Sequence, residues 1–154
     1  MMNDSLAVLQ KEMDDIMRHA GSEATFPPNC FLAMKAEFVS YESRISLVVA
    51  MPVLEESLNP MRTMQGGFLL AAFDNAFGPL SYLAARAPCV TTNLNAQFIR
   101  TITPGDRLTV HARVASRGAQ MLHMTAEAFN SKNKLVGVAT AGATVMRLSS
   151  KSLK

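Results

Sequence analysis

The sequence predicts an α+β fold, an antiparallel sheet wrapped around one long central helix with an extra N-terminal helix. Three observations carry that expectation. Residues 64–86, MQGGFLLAAFDNAFGPLSYLAAR, are long enough for several helical turns and apolar on nearly every face, as in a helix enclosed by other elements. Short β-rich runs flank it, two before and about four after, and their hairpin-length connections favour antiparallel pairing. The opening residues, in contrast, repeat apolar side chains at helical spacing.

In chain order, NDSLAVLQKEMDDIMRHAGSE sets Leu6, Leu9, Met13, Ile16 and Met17 on one face of a helix, with Asp or Ser to cap it and Gly21 to stop it. Pro27 and Pro28 in TFPPNC cannot continue that helix and bias their neighbours to extended backbone. Phe31 to Val53 reads as two strands joined by a turn around Tyr41 to Arg44. A polar loop containing Pro52, Asn59 and Pro60 leads into the long helix, which Pro79 is expected to bend or divide. Four extended runs follow, Cys89 to Arg100, Arg107 to Ser116, Gln120 to Asn130 and Leu135 to Leu148, punctuated by Gly118 and NSKNK. The expected organisation is an N-terminal amphipathic helix over residues 1–25, the main domain over 26–149 and a frayed tail over 150–154.

Bulk properties narrow the function. A chain of 154 residues buries roughly 70% of the surface it exposes when unfolded, so a substantial core is expected. Fifteen Lys and Arg against twelve Asp and Glu leave only +3, spread along the chain, and there is no Trp to interleave with them, so no nucleic-acid partner is expected. Asp74, Asn75 and Pro79 count against a membrane span in the long helix. Cys30 and Cys89 lack the His neighbours of a zinc site, His19, His111 and His123 are far apart, and no metal is expected. No signal-type run opens the chain, which points to the cytoplasm.

Asp74 is the anomaly. Its neighbours one turn away, Leu70, Ala71, Phe77 and Gly78, include no cation, and the nearest basic residues in sequence are Arg62 and Arg86, twelve positions off on either side. An enclosed carboxylate needs hydrogen bonds, or a cavity holding water or a ligand. The alternative is that Asp74 emerges on a solvent-facing strip, or caps the backbone at a break between Asn75 and Pro79. At the head of the same helix, Gly66 and Gly67 offer free N–H groups at the positive end of the dipole and let an acceptor oxygen approach closely. Such donors suit a carbonyl that gains negative charge during acyl transfer. Gly66 and Asp74 are eight residues apart, about 12 Å along a helix, so one chain cannot bring both to one carbonyl. If both act on the same group, a two-fold dimer is required.

These residues resemble the hot-dog-fold acyl-CoA thioesterases, in particular the phenylacetate-pathway (PaaI-like) type. Its signature is Asn, five residues, His-Gly-Gly, and Asp nine positions after the His; Asn59, Gln65, Gly66, Gly67 and Asp74 fall at those spacings. VTTNLNAQFIRTITPGDRL is similar to that family's strand after the helix, and the likeness covers roughly residues 30–148. It implies a hot-dog fold, with Asp74 as general base or nucleophile and Gly66 as oxyanion donor from the other subunit. Asn59 would then organise the site, and Thr91 would be the strand hydroxyl, with Thr92, its neighbour on the opposite face, taking that place if the match slips by one residue. It also implies a homodimer or dimer of dimers, with no cofactor beyond the coenzyme A that is part of the substrate. Gln65 stands where the family usually has His, and its amide orients groups without titrating. The resulting expectation is hydrolysis of a small or medium acyl-CoA, aromatic groups included, and the alternative is a non-catalytic acyl-CoA-binding protein. A hydratase or dehydratase would need a placed His, and none lies between residues 59 and 74. Leu70, Phe73 and Phe77 either line an acyl pocket or belong to the core; Arg100, Arg107 and Arg113 either meet CoA phosphates or are simply solvated.

Overall fold

A computed structural model describes residues 4–21 and 23–147. The expected tail, Leu148 and the first residues of the predicted N-terminal helix lie outside them.

Helix α1 (Asp4–Met17) buries Leu9, Met13 and Ile16, one helical stripe of the predicted apolar face. A second, five-residue helix follows, α2 (Asn29–Ala33). Strands β1 (Glu37–Glu42) and β2 (Ser46–Pro52) form the first hairpin, and a turn of 3₁₀ helix at Glu55–Ser57 leads to α3 (Gly66–Ala85). Strands β3 (Cys89–Phe98), β4 (Arg107–Arg117), β5 (Met121–Phe129) and β6 (Leu135–Val145) complete the chain.

One expectation is overturned here: Phe31 begins no strand. Pro28 sits extended ahead of α2, and Ala36 N–H closes back on Phe31 O at 3.1 Å, so the segment coils before β1 starts. Phe31 is buried and its ring stacks on Phe38 with centroids 4.5 Å apart. Nor does Pro79 divide the long helix. Its missing N–H frees one carbonyl, but α3 runs unbroken over 20 residues because its flanks are packed on both sides of the proline.

The six strands form one antiparallel sheet in the order β1-β2-β4-β5-β6-β3. Its inner face carries Leu47, Val49 and Met51, Leu108 and Val110, and Leu122 and Met124 against Phe73, Phe77, Leu80 and Leu83 of α3, in a cluster that also takes in α1. At its C-terminus α3 ends on Arg86 in the left-handed region (φ 58°). There Arg44 donates two hydrogen bonds of 3.3 Å to Ala84 O and Arg117 one of 3.0 Å, setting two cations on the negative end of the dipole. Among the described residues no helix is long and apolar enough to cross a membrane.

Candidate active site

Helix α3 is less enclosed than its composition suggests. Phe73, Ala76, Phe77, Leu80 and Leu83 are fully buried, but Gly67 and Asp74 are exposed and Ala71 and Gly78 half-exposed, forming one uncovered stripe. Asp74 therefore stands on a solvent-facing strip of the single chain, the second of the two expectations for it. No cation lies within ion-pair reach of it among the described residues: Arg62 pairs with Glu55 at 2.6 Å, and the other two ion pairs are Arg18–Asp15 and Arg107–Glu37.

What Asp74 does have is a hydroxyl. Thr91 donates its Oγ1 proton to Asp74 Oδ1 at 3.1 Å, from the neighbouring edge strand β3. Thr92 is turned elsewhere, its Oγ1 3.4 Å from Asn93 Oδ1. The structure thus brings Thr91, and not Thr92, to the carboxylate.

At the other end of the stripe, Gln65 occupies the N-cap of α3 with extended backbone (ψ 141°) and no side-chain capping bond. Its carbonyl accepts from Phe68 N–H at 2.9 Å and Leu69 N–H at 3.2 Å, while its own N–H donates to Ser57 O at 2.8 Å. The N–H groups of Gly66 and Gly67 have no acceptor among the described residues. The two glycines differ in their surroundings. A Cβ on Gly67 would meet open space, whereas one on Gly66 would stand 2.6 Å from Cε2 of Phe98. Phe98, at the end of β3, remains 55% exposed, so an aromatic ring flanks the candidate donor with its outer side free. The family likeness of the strand included its aromatic, but it gave Phe98 no place in the site.

Asn59 is spent on its own loop. Its Oδ1 accepts from Met61 N–H (3.0 Å) and Thr63 N–H (3.2 Å), and its Nδ2 donates to Thr63 Oγ1 at 2.9 Å. It shapes the turn that delivers Gln65 and Gly66 and does not reach Asp74. Phe73 and Phe77 are fully buried core, with Leu70 half-buried beside them. Arg100 donates to Leu135 O at 2.6 Å, Arg107 pairs with Glu37, and Arg113 lies on the outer face of the sheet. None of the three bonds to Asp74. A groove of about 960 Å³ also lies on that outer face, between residues such as Asn95, His111, Glu127 and Thr140, and a crevice of about 210 Å³ separates α1 from the end of α3. Neither includes Asp74, Gly66 or Thr91.

Residues 61–137, half the chain, match the family described as the thioesterase superfamily. The chain belongs to the thioesterase superfamily. Among solved structures, the E. coli PaaI protein from the phenylacetic acid degradation operon superposes with a TM-score of 0.77 at 22% identity, covering 90% of this chain and 95% of its own. The smu.793 protein of Streptococcus mutans UA159, solved with acetyl CoA bound, gives 0.70 at 21% identity over 82% of this chain and 95% of its own. A hypothetical thioesterase protein of Streptococcus pneumoniae TIGR4, solved with coenzyme A, gives 0.69 at 19% identity over 92% and 99%. No curated protein matches the chain. The shared architecture is the hot-dog fold, so the family and fold implied by the spacing of Asn59, Gly66, Gly67 and Asp74 hold for this thioesterase-superfamily chain.

Proposed function

We propose that this protein hydrolyses a small or medium acyl-CoA, aromatic acyl groups included, to the free acid and CoA, at a site shared between two copies of the chain. The observation that carries the reading is the pairing of Asp74 with Thr91 on the bare stripe of α3, about 12 Å by helical rise from the unpartnered N–H of Gly66. One chain cannot apply both groups to one carbonyl. Two copies with antiparallel α3 stripes face to face set the Asp74 of each opposite the Gly66 of the other, which also encloses a carboxylate that a single chain leaves in solvent.

In that arrangement Asp74 takes a proton from water as it adds to the thioester carbon, or attacks that carbon itself. The carbonyl oxygen gains negative charge and is held by the Gly66 N–H of the second copy. The C–S bond then breaks, and the CoA sulfur leaves and takes up a proton; where Asp74 itself attacked, water then cleaves the resulting mixed anhydride, releasing the acid and restoring the carboxylate. Thr91 holds the carboxylate in its rotamer, and Gln65 orients the carbonyl or the water without exchanging a proton. The chemistry calls for no metal or cofactor, and CoA enters only as part of the substrate. The likeness to proteins solved with CoA or acetyl CoA supports that ligand class. Two free thiols agree with the cytoplasm as its location.

A panel of acyl-CoA esters, with released CoA measured by a thiol reagent, tests the reading. Asp74→Asn is expected to lower kcat by roughly 10³-fold or more while the protein remains folded and dimeric. Unchanged turnover rejects the role of Asp74. Saturable binding of CoA esters by the natural protein without thiol release identifies a binding protein instead, the outcome that a neutral Gln65 favours.

A further inference from the structure

Thr91 and Phe98 are seven residues apart on one strand, an odd spacing that regular alternation sends to opposite faces. Both nevertheless face α3, Thr91 at Asp74 and Phe98 at Gly66. The register of β3 on β6 shows how. Thr91 pairs with Ala143 and Asn93 with Gly142, leaving Thr92 without a partner of its own, as the extra residue of a bulge. Ahead of the bulge the inward position is odd, Thr91; beyond it the inward positions are even, with Leu94 and Ala96 packed on the core and Phe98 on Gly66.

The bulge has a seat. A Cβ on Gly142 would stand 2.3 Å from Asn93 Oδ1 and 3.2 Å from Thr92 Oγ1, so side chains of two successive β3 residues lie over one position of β6. A single added methyl would press mainly on the end of the Asn93 amide, which can swing aside. A branched side chain would press on both residues.

We propose that Gly142 is a positioning residue of the active site: by seating the Thr92 bulge it lets β3 carry an extra residue and still present Thr91 and Phe98 to α3 together. This rests on the hydrolase reading of Asp74 and Gly66. If the bulge cannot form, one arm of the strand keeps its phase and the other turns over. The longer arm, fixed by Leu94 and Ala96, wins, and Thr91 leaves Asp74.

Gly142→Val tests this directly. It is expected to reduce kcat about tenfold or more with KM little changed, and adding Thr91→Val to it is expected to cost nothing further. Deleting Thr92 removes the extra residue, so that Thr91 and Asn93 alternate regularly in the same register. The deletion alone is therefore expected to keep turnover, and in the Gly142→Val background to restore it to within a few-fold. Wild-type turnover in Gly142→Val, a further loss on adding Thr91→Val, or failure of the deletion to restore activity overturns the proposal. Should Gly142→Val not fold, the deletion alone decides, because a folded, inactive deletion variant would give Thr92 a role of its own. Crystal structures of the variants read the Thr91–Asp74 contact independently of any reaction. A natural protein without thioester turnover rejects the hydrolase reading, whereas the contact surviving in Gly142→Val rejects this inference alone.

Discussion

The sheet has two edges, and they are built in opposite ways. Strand β1 is six residues long, carries Glu37 and Glu42 at its ends, and is interrupted by a register shift between Phe38 and Ser40. It is locked to α1: Tyr41 O–H donates to Glu12 Oε2 at 2.6 Å, Ser43 O–H to Glu12 Oε1 at 2.7 Å, and Tyr41 N–H to Ser5 Oγ at 3.4 Å. Charge, shortness, a bulge and a covering helix are the usual means by which a protein prevents an edge from pairing. Strand β3 has ten residues, CVTTNLNAQF, with no Asp, Glu, Lys or Arg, and exposes most of them. Beside it runs the bare stripe of α3. The contrast supports a second copy pairing along β3, and it places Thr91 and Phe98, the two side chains nearest the candidate chemistry, on the edge that the chain leaves open.

Between the two edges, the larger expected effect comes from charging the open one. Asn95→Lys with Gln97→Lys brings like charges together wherever two β3 strands pair antiparallel, and is expected to yield folded monomers in sedimentation velocity. Under the proposed reading each site draws on both copies, so thioester turnover is expected to fall with loss of the dimer, by roughly two orders of magnitude or more. Val39→Lys on β1 is expected to change neither. Monomers that retain full turnover would show that one chain completes the site.

This contrast was only partly legible in the sequence. The order of helices and strands was, because hydrophobic period changes sharply at Pro27, Gly66 and Pro88, and the spacing of Asn59, Gly66 and Asp74 placed the candidate residues. The exposure of Asp74 was not legible for a specific reason. The open stripe of α3 is made of Gly67, Ala71 and Gly78, residues that hydropathy counts as apolar although they cover nothing, so a helix with one bare side read as enclosed. Helix α2 escaped because five residues are too few for a helical period, and Phe31 and Leu32 suit a strand equally well. The Thr92 bulge adds one residue to a run of ten, and only the pairing of Asn93 with Gly142 reveals it. Phe73 and Phe77 looked the same as pocket or core until their burial separated the two.

A smaller effect is expected where β3 meets the head of α3. Gly66→Ala drives a methyl into the Phe98 ring, which must then move toward the approach to the N–H donors, and a loss of roughly 10²-fold in kcat/KM is expected, the scale of removing one oxyanion donor. Gly67→Ala, one residue on, meets open space and is expected to stay within about threefold, with its cost limited to the stripe facing the second copy. Equal losses in the two variants would mean that backbone freedom, and not the ring, requires glycine there. Phe98→Leu combined with Gly66→Ala separates these explanations, since it recovers activity only if the ring was the obstacle.

The smallest effect belongs to the closed edge, and pH reveals it. Burial pushes the Tyr41 phenol up from 10.0 to about 12, with the hydrogen bond to Glu12 adding to the rise against the opposing one from Arg44 N–H. A raised value favours the neutral phenol in the folded chain, so this contribution is complete below pH 10 and disappears as pH climbs through about 12. Tyr41→Phe removes it at every pH. Urea denaturation should therefore show the variant less stable by about 1–2 kcal/mol at neutral pH, with the gap narrowing between pH 10 and about 12. The loosening is expected at α1 and β1, seen as faster amide exchange there, while β3, whose one titratable side chain is the buried Cys89, keeps its protection. The absence of a gap at neutral pH would mean that Tyr41 contributes by packing alone, and that β1 is closed by the apolar face of α1 without help from the Glu12 hydrogen bonds.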